Sequence, residues 1–283
     1  MKQYMRVALK TLKPKIENID SMPKKDSKLF CVVIPIHNEE KFLPISLPSV
    51  YDLTPHEVIL LFDRCTDNSI TIAKTIAKRY GMLNHTQFIE IGDDIEGFTM
   101  RFAYMRWLGC VIAHNNTILI TAADLVLDKQ IVNHLGTLGN NDVELVSFLH
   151  KDYPVDFRNL LKRLLVKTKI GGLGQQRWLG PVLLFDRNTS FELEDFDGLK
   201  RLESAEDTHL QQAINTHHKS LCIVSNTIHL RPRFGSRDYL CGRLYWSVAH
   251  RSFLMAFLNM LFMFRLNLIK GYIHERYGDT ENE

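Results

Sequence analysis

Two rhythms of apolar and polar residues alternate along the chain. Three short runs, LFCVVIPI (29–36), EVILLF (57–62) and TILIT (117–121), are β-branched and continuously apolar, as strands covered on both faces are. Stretches of helical period lie between them. In the clearest, Ile70 to Tyr80, the residues Ile72, Ala73, Ile76, Ala77 and Tyr80 share one face, Lys74, Lys78 and Arg79 point away, and Gly81 supplies the stop. QFIEIG (87–92) predicts a further strand and Arg101 to His114 a further helix. Phe42 to Tyr51 also has a helical period, with Pro44 placed to open a helix and Pro48 expected to kink or end it. Strand, helix and strand in alternation predict a parallel sheet with right-handed crossovers.

The pattern loosens beyond Asp124. VELVSFLH (143–150), PVLLFDR (181–187) and SLCIVSNTIHL (220–230) predict strands, and a helix opens at Asp207 and runs to His217. The polar, basic, glycine-containing stretch 151–179 reads either as a loop over a site or as a plain connector. The C-terminal SFLMAFLNMLFMFRLNLIKGYI is very apolar but broken by Asn259, Arg265 and Asn267, short of the roughly 20 uninterrupted residues of a spanning helix. It predicts a helix that docks on the body of the protein, on a second copy in a homo-oligomer, or in a membrane interface. The domain reading is therefore a basic extension at 1–28, an α/β domain at 29–235 and an apolar helical tail at 236–283.

Composition adds limits. A chain of 283 residues, 45% hydrophobic and 24% charged, is that of an ordinary globular protein with a real core. A formal net charge of +3 does not argue for a nucleic-acid partner, although lysines cluster near the N-terminus. The five cysteines stand far apart with no CxxC pair, which suggests neither a zinc cluster nor a disulfide framework and fits a reducing cytosol. No apolar run of secretory type follows the N-terminal lysines. The expected location is cytoplasmic, at the inner face of the cell membrane if the tail docks there.

Candidate chemistry collects at strand ends. In FDRCTDNS (62–69), Asp67, Asn68 and Ser69 are suited to cap the next helix, which leaves Asp63 for a ligand. IPIHNEE (34–40) and ITAADLVLD (120–128) end two further strands with acidic residues. Three neighbouring parallel strands would thus bring carboxylates to the edge where open α/β sheets bind ligands. Carboxylates alone would repel a diphosphate, so the arrangement needs a hard divalent cation, Mg²⁺ or Mn²⁺.

These motifs resemble those of the family 2 glycosyltransferases. IPIHNEE is similar to a strand ending in P-x-Y-N-E, LFDRCTDNS to D-D-G-S-T-D-x-T, and Arg106-Trp107-Leu108-Gly109 to R-N-x-G. TAADLVLD stands where that family has D-x-D, and AEDTHL (205–210) is similar to its E-D-x-x-L. Five motifs in the expected order, from about 29 to 210, are far more specific than any one. The resemblance implies a GT-A, Rossmann-like α/β fold with a mostly parallel sheet flanked by helices and a helical C-terminal tail. It implies a metal-assisted, inverting transfer of a sugar from a nucleotide-diphosphate donor to an acceptor hydroxyl or phosphate. Pro35, Glu39, Asp63, Arg106 and Asp124 would line the donor, with Glu39 and Asp63 at ribose and base and Arg106 beside the diphosphate. Asp124 would hold the metal, with His229 as a further ligand. Asp207 would be the general base, with Glu206 beside it as the alternative. The acceptor would be a glycan, or a lipid-linked group if the tail meets a membrane.

There are departures too. Ala122 replaces the first aspartate of D-x-D, Phe62 and Arg64 flank Asp63, His37 replaces a tyrosine and Trp107 an asparagine. The loss at Ala122 motivates a second reading, a degenerate, non-catalytic member that binds a nucleotide sugar or a partner. GQQRW (174–178) resembles a Q-x-x-R-W motif of polymer-forming members but precedes the E-D helix instead of following it, so Arg177 and Trp178 read as acceptor-side loop residues. A nucleotidyltransferase would carry a glycine-rich phosphate loop after the first strand, and IPIHNEE has none.

Overall fold

The computed structural model describes residues 29–152, 180–202 and 206–231. Two compact units divide the chain, and the described residues up to Leu230 belong to the first. The expectations for the 1–28 extension, for Arg177 and Trp178, and for the 236–283 tail fall outside the described residues. No helix among the described residues is long and apolar enough to cross a membrane.

Among the described residues eight strands form one sheet. They are β1 (Phe30–Ile36), β2 (Glu57–Asp63), β3 (Thr86–Ile91), β4 (Thr117–Ile120), β5 (Leu125–Val126), β6 (Val143–Asp152), β7 (Val182–Asp186) and β8 (Lys219–His229), in the order β3-β2-β1-β4-β7-β6-β8-β5. β1 pairs in parallel with β2 and β4, and β2 with β3, in the register Val33↔Ile59 and Val33↔Ile120. β7 runs antiparallel between β4 and β6, β8 lies parallel to β6, and the short β5 is antiparallel to β8. Each predicted strand is present, to within a residue or two at its ends. Pro35 lies in a central strand without harm to the ladder. The β4 pairing ends at Val33, so on that side no strand asks residue 35 for the N–H that proline lacks.

The described helices are α1 (Leu43–Tyr51), α2 (Ser69–Arg79), α3 (Arg101–Ile112), α4 (Arg187–Leu193), α5 (Phe196–Arg201) and α6 (Glu206–Asn215). Alternate strand residues face two cores. Val32, Ile34, Leu60 and Phe62 pack on α1 and α2, whereas Cys31, Val33, Ile59 and Leu61 pack on α3, α5 and α6. α1 departs from expectation by continuing through Pro48 to Tyr51. The helix is short, and the carbonyls of Phe42 and Pro48 still receive Ser46 and Asp52 N–H groups at 2.9 Å each. α4 and α5 are not anticipated by the apolar pattern. Both are opened by side-chain caps: Asp186 accepts from the Thr189 N–H, and Asp195 from those of Asp197 and Gly198.

α3 is buried on every side from Ala103 to Ile112, as a helix inside a layered core is. Its Gly109 lies against β1: a Cβ there would stand 2.4 Å from Cγ1 of Val33. Gly109→Ala is expected to push α3 off the sheet and lower stability by about 1–3 kcal/mol, the usual cost of overpacking. A denaturation midpoint equal to that of the parent protein would contradict this.

Candidate active site

The topology brings the acidic strand ends to one edge. β1, β2, β4, β6 and β8 all point the same way, because β7 reverses the direction between β4 and β6. Asp63 closes β2, Asp124 follows β4, and His229 closes β8. α6 ends at Asn215, just before β8 begins at Lys219, so its first turn, with Asp207, is the end of the helix away from the start of β8.

The β1 and β2 ends are tied together by their own polar groups. Nδ1 of His37 donates to the Asp63 carbonyl at 2.6 Å, an acceptor-only group that fixes the proton on Nδ1. Oδ1 of Asn38 accepts from the Thr66 N–H at 2.8 Å, and the Ser69 hydroxyl accepts from the Glu39 N–H at 2.8 Å. The N-cap of α2 is Asn68, whose side chain makes no capping bond; Asp67, one residue earlier, accepts from the Ser69 N–H at 2.9 Å and from the Glu40 N–H at 3.0 Å. Asn38 and Arg64 adopt left-handed backbone, with φ of 54° and 47°, where a glycine is usual. Glu39 is half-buried in this latch, with its carbonyl opening α1 through the Phe42 and Leu43 N–H groups.

Asp63 is buried, and Oδ1 of its carboxylate accepts from Nε of Arg101 at 2.7 Å and from Nε of Arg64 at 3.3 Å. Nη2 of Arg101 stands 2.5 Å from the same oxygen, and its guanidinium also donates to the carbonyls of Gly92 and Asp93. Sequence reasoning singled out Asp63 but not its partner Arg101, which lies 38 residues away on the first turn of α3.

Asp124 and His229 meet. Leu125 pairs with His229 across β5 and β8, and the Leu230 N–H donates to the Asp124 carbonyl at 2.9 Å. Nε2 of His229 lies 3.5 Å from Oδ2 of Asp124, with both side chains nearly buried. Two cis ligands of a six-coordinate cation at about 2.1 Å stand roughly 3 Å apart, so the pair fits a metal that takes few protein ligands. Among the described residues no group of three or more His, Cys, Asp or Glu forms a metal cluster.

Arg106 is placed differently from the expectation that set it beside a diphosphate. It is 4% exposed on α3, with Nη1 and Nη2 bound to the Glu194 carboxylate at 2.9 and 2.5 Å. Nη2 also donates to the Glu206 carbonyl at 3.3 Å. Burial works against both charges, yet each stabilises the other: Arg106 is raised by Glu194, and Glu194 is held below the usual carboxylate range by Arg106 and His209. The signal that could have found this lies in RFAYMRWLGCVI, since an arginine inside an otherwise apolar helix needs a buried anion.

Asp207 stands in the first turn of α6, half-buried, with Oδ1 accepting from the Thr208 N–H at 2.7 Å. Burial, and then the charge of Asp207 beside it, push the Glu206 carboxyl up.

A parallel sheet with an acidic carboxyl edge and one reversed strand in its middle is the architecture of the GT-A glycosyltransferases, and the comparisons agree. The fold is similar to a mannosyltransferase from Pyrobaculum calidifontis solved with GDP-Man and Mn²⁺, at TM-score 0.63 and 18% identity over 98% of this chain and 83% of that one. It is also similar to residues 1–349 of TarS from S. aureus, at TM-score 0.53 and 14% identity over 89% and 73% of the two chains. A third is the glucosyl-3-phosphoglycerate synthase of Mycobacterium tuberculosis solved with Mn²⁺, UDP-glucose and phosphoglyceric acid, at TM-score 0.50 and 15% identity over 80% and 85%. A search of the curated proteins finds no match. The fold defined is that of the GT-A glycosyltransferases. Within it, residues 31–90, from β1 to β3, match the model of glycosyl transferase family 2, and the motif resemblance holds there. Asp124, Asp207 and His229 lie beyond the matched residues.

Proposed function

We propose that the protein transfers a sugar, with inversion, from a nucleotide-diphosphate donor to an acceptor hydroxyl or phosphate. The observation that carries this reading is the meeting of Asp124 and His229 on the sheet edge that also bears Asp63. Pro35, Glu39 and Asp63 form the nucleoside side, where carboxylates accept from ribose hydroxyls or a base N–H. Asp124 and His229 are the residues that would hold Mg²⁺ or Mn²⁺. Such a cation supplies positive charge to a departing diphosphate. Asp207 takes the proton from the acceptor as its oxygen bonds to the anomeric carbon, while the bond to the diphosphate breaks and its electron pair leaves with the nucleotide. A single displacement inverts the anomeric centre. In this reading Arg106 serves the site through α6, since Glu194 holds its guanidinium.

UDP-glucose and GDP-mannose, each with Mn²⁺, are suitable first probes. We expect release of nucleoside diphosphate from one of them and, by proton NMR, a sugar product whose first-formed anomer is opposite to that of the donor. A product of retained configuration would overturn the single displacement, and its base with it. A thermal-shift series of UDP and GDP with and without Mn²⁺ should show a rise for one nucleotide that depends on the metal.

A further inference from the structure

Glu194 lies outside every motif that suggested the site, yet its carboxylate joins three elements. It ends α4, is 7% exposed, and receives both terminal nitrogens of Arg106 from α3 and, at 2.9 Å, Nδ1 of His209 from α6. The Ser190 hydroxyl approaches it at 3.5 Å. Arg106 in turn reaches the Glu206 carbonyl, and His209 is two residues past Asp207. The N-terminal turn of α6 is therefore gripped at two points, one on each side of Asp207, and both grips end on the same carboxylate.

We propose that Glu194 is a positioning residue for Asp207: by binding Arg106 and His209 together it fixes the first turn of α6 and keeps the Arg106 guanidinium away from the carboxylates of that turn. The inference rests on the reading of Asp207 as the base. The titratable groups acting on Arg106 are Glu194, Glu206 on α6 and the Cys110 thiol on α3; His209 acts on Glu194, Asp207 on Glu206, and Arg187 on Cys110. With Glu194 neutralised, the carboxylate left acting on the buried guanidinium is Glu206, and Asp207 is the next charge along the same turn. A base paired with Arg106 is a weaker proton acceptor, because the cation favours its charged form. A helix N-terminus beside an unpaired cation is also disfavoured by its own dipole.

Glu194→Gln keeps the shape and removes the charge. Hydrogen exchange in the full chain should then speed up about tenfold at the amides of 206–210 while β1 and β2 stay as they were. Donor turnover, read as nucleoside diphosphate released from UDP-glucose or GDP-mannose with Mn²⁺, should fall about tenfold in kcat with little change in donor KM. Adding E194Q to Asp207→Asn should cost nothing further, since both act through one group. If E194Q does not fold, His209→Gln removes one of the two grips from a partly exposed position and should speed the same amides about threefold. Unchanged exchange at 206–210 in whichever variant folds would overturn the proposal. A dead D207N beside a fully active E194Q would also overturn it while leaving the base assignment intact, and an active D207N would remove the base assignment itself.

Discussion

Asp207→Asn is expected to reduce the rate of nucleoside diphosphate release by about a hundred- to ten-thousand-fold, the range general base catalysis contributes, with donor binding little changed. Asparagine is close in shape, and its side-chain oxygen can still accept the Thr208 N–H that Oδ1 of Asp207 accepts at 2.7 Å. The first turn of α6 should therefore survive, and what is lost is the ability to take a proton. The neighbour supplies the internal comparison. Glu206 is mostly buried, its carboxyl is pushed up by burial and by the Asp207 charge, and its carbonyl is engaged by Arg106. Glu206→Gln should cost clearly less than Asp207→Asn. The reverse order, measured at saturating donor, would move the base to Glu206, and full activity in both would leave the site without a base from α6.

How far this site could be read from the sequence depended on whether each residue's partner lay close by in the chain. Asp67 was legible as a local hydrogen-bond acceptor at the start of a helix because its donor, the Ser69 N–H, is two residues away. The longer strands were legible because burial on both faces leaves a continuous apolar run, whereas the two-residue β5 carries too short a run to show. Asp124 and His229 stand about a hundred positions apart. Only the strand-end position of each hinted that they meet, and the β5–β8 register supplied the rest. Arg101 and Glu194 were illegible for the opposite reason. Each does its work through a partner 38 or 88 residues distant, and a charge on an amphipathic or short helix looks the same whether it faces water or a buried ion. Arg106 was legible as a site motif yet stands in a core ion pair, because a motif fixes residue types and spacing but not which side chain captures the guanidinium first.

Asp124→Ala should abolish the Mn²⁺-dependent part of nucleotide binding and lower turnover by at least about a hundredfold. The replacement removes a carboxylate that stands 3.5 Å from His229, while leaving the local fold: the Leu230 N–H bonds the Asp124 backbone carbonyl, and β5 and β8 pair through Leu125 and Val126. Charge stabilisation of a leaving diphosphate is worth several kcal/mol, and each roughly 1.4 kcal/mol is about tenfold in rate. Ala122 sharpens the expectation, since no second aspartate stands two residues before Asp124 to take over. His229→Gln should act in the same direction but less, by about tenfold, because a neutral ligand contributes orientation without charge. The decisive measurement is the thermal shift produced by UDP or GDP with increasing Mn²⁺. A metal response in Asp124→Ala as large as in the parent protein would mean that the cation, if bound, is held elsewhere, and that the meeting of Asp124 with His229 is an ordinary ion pair closing the end of β8.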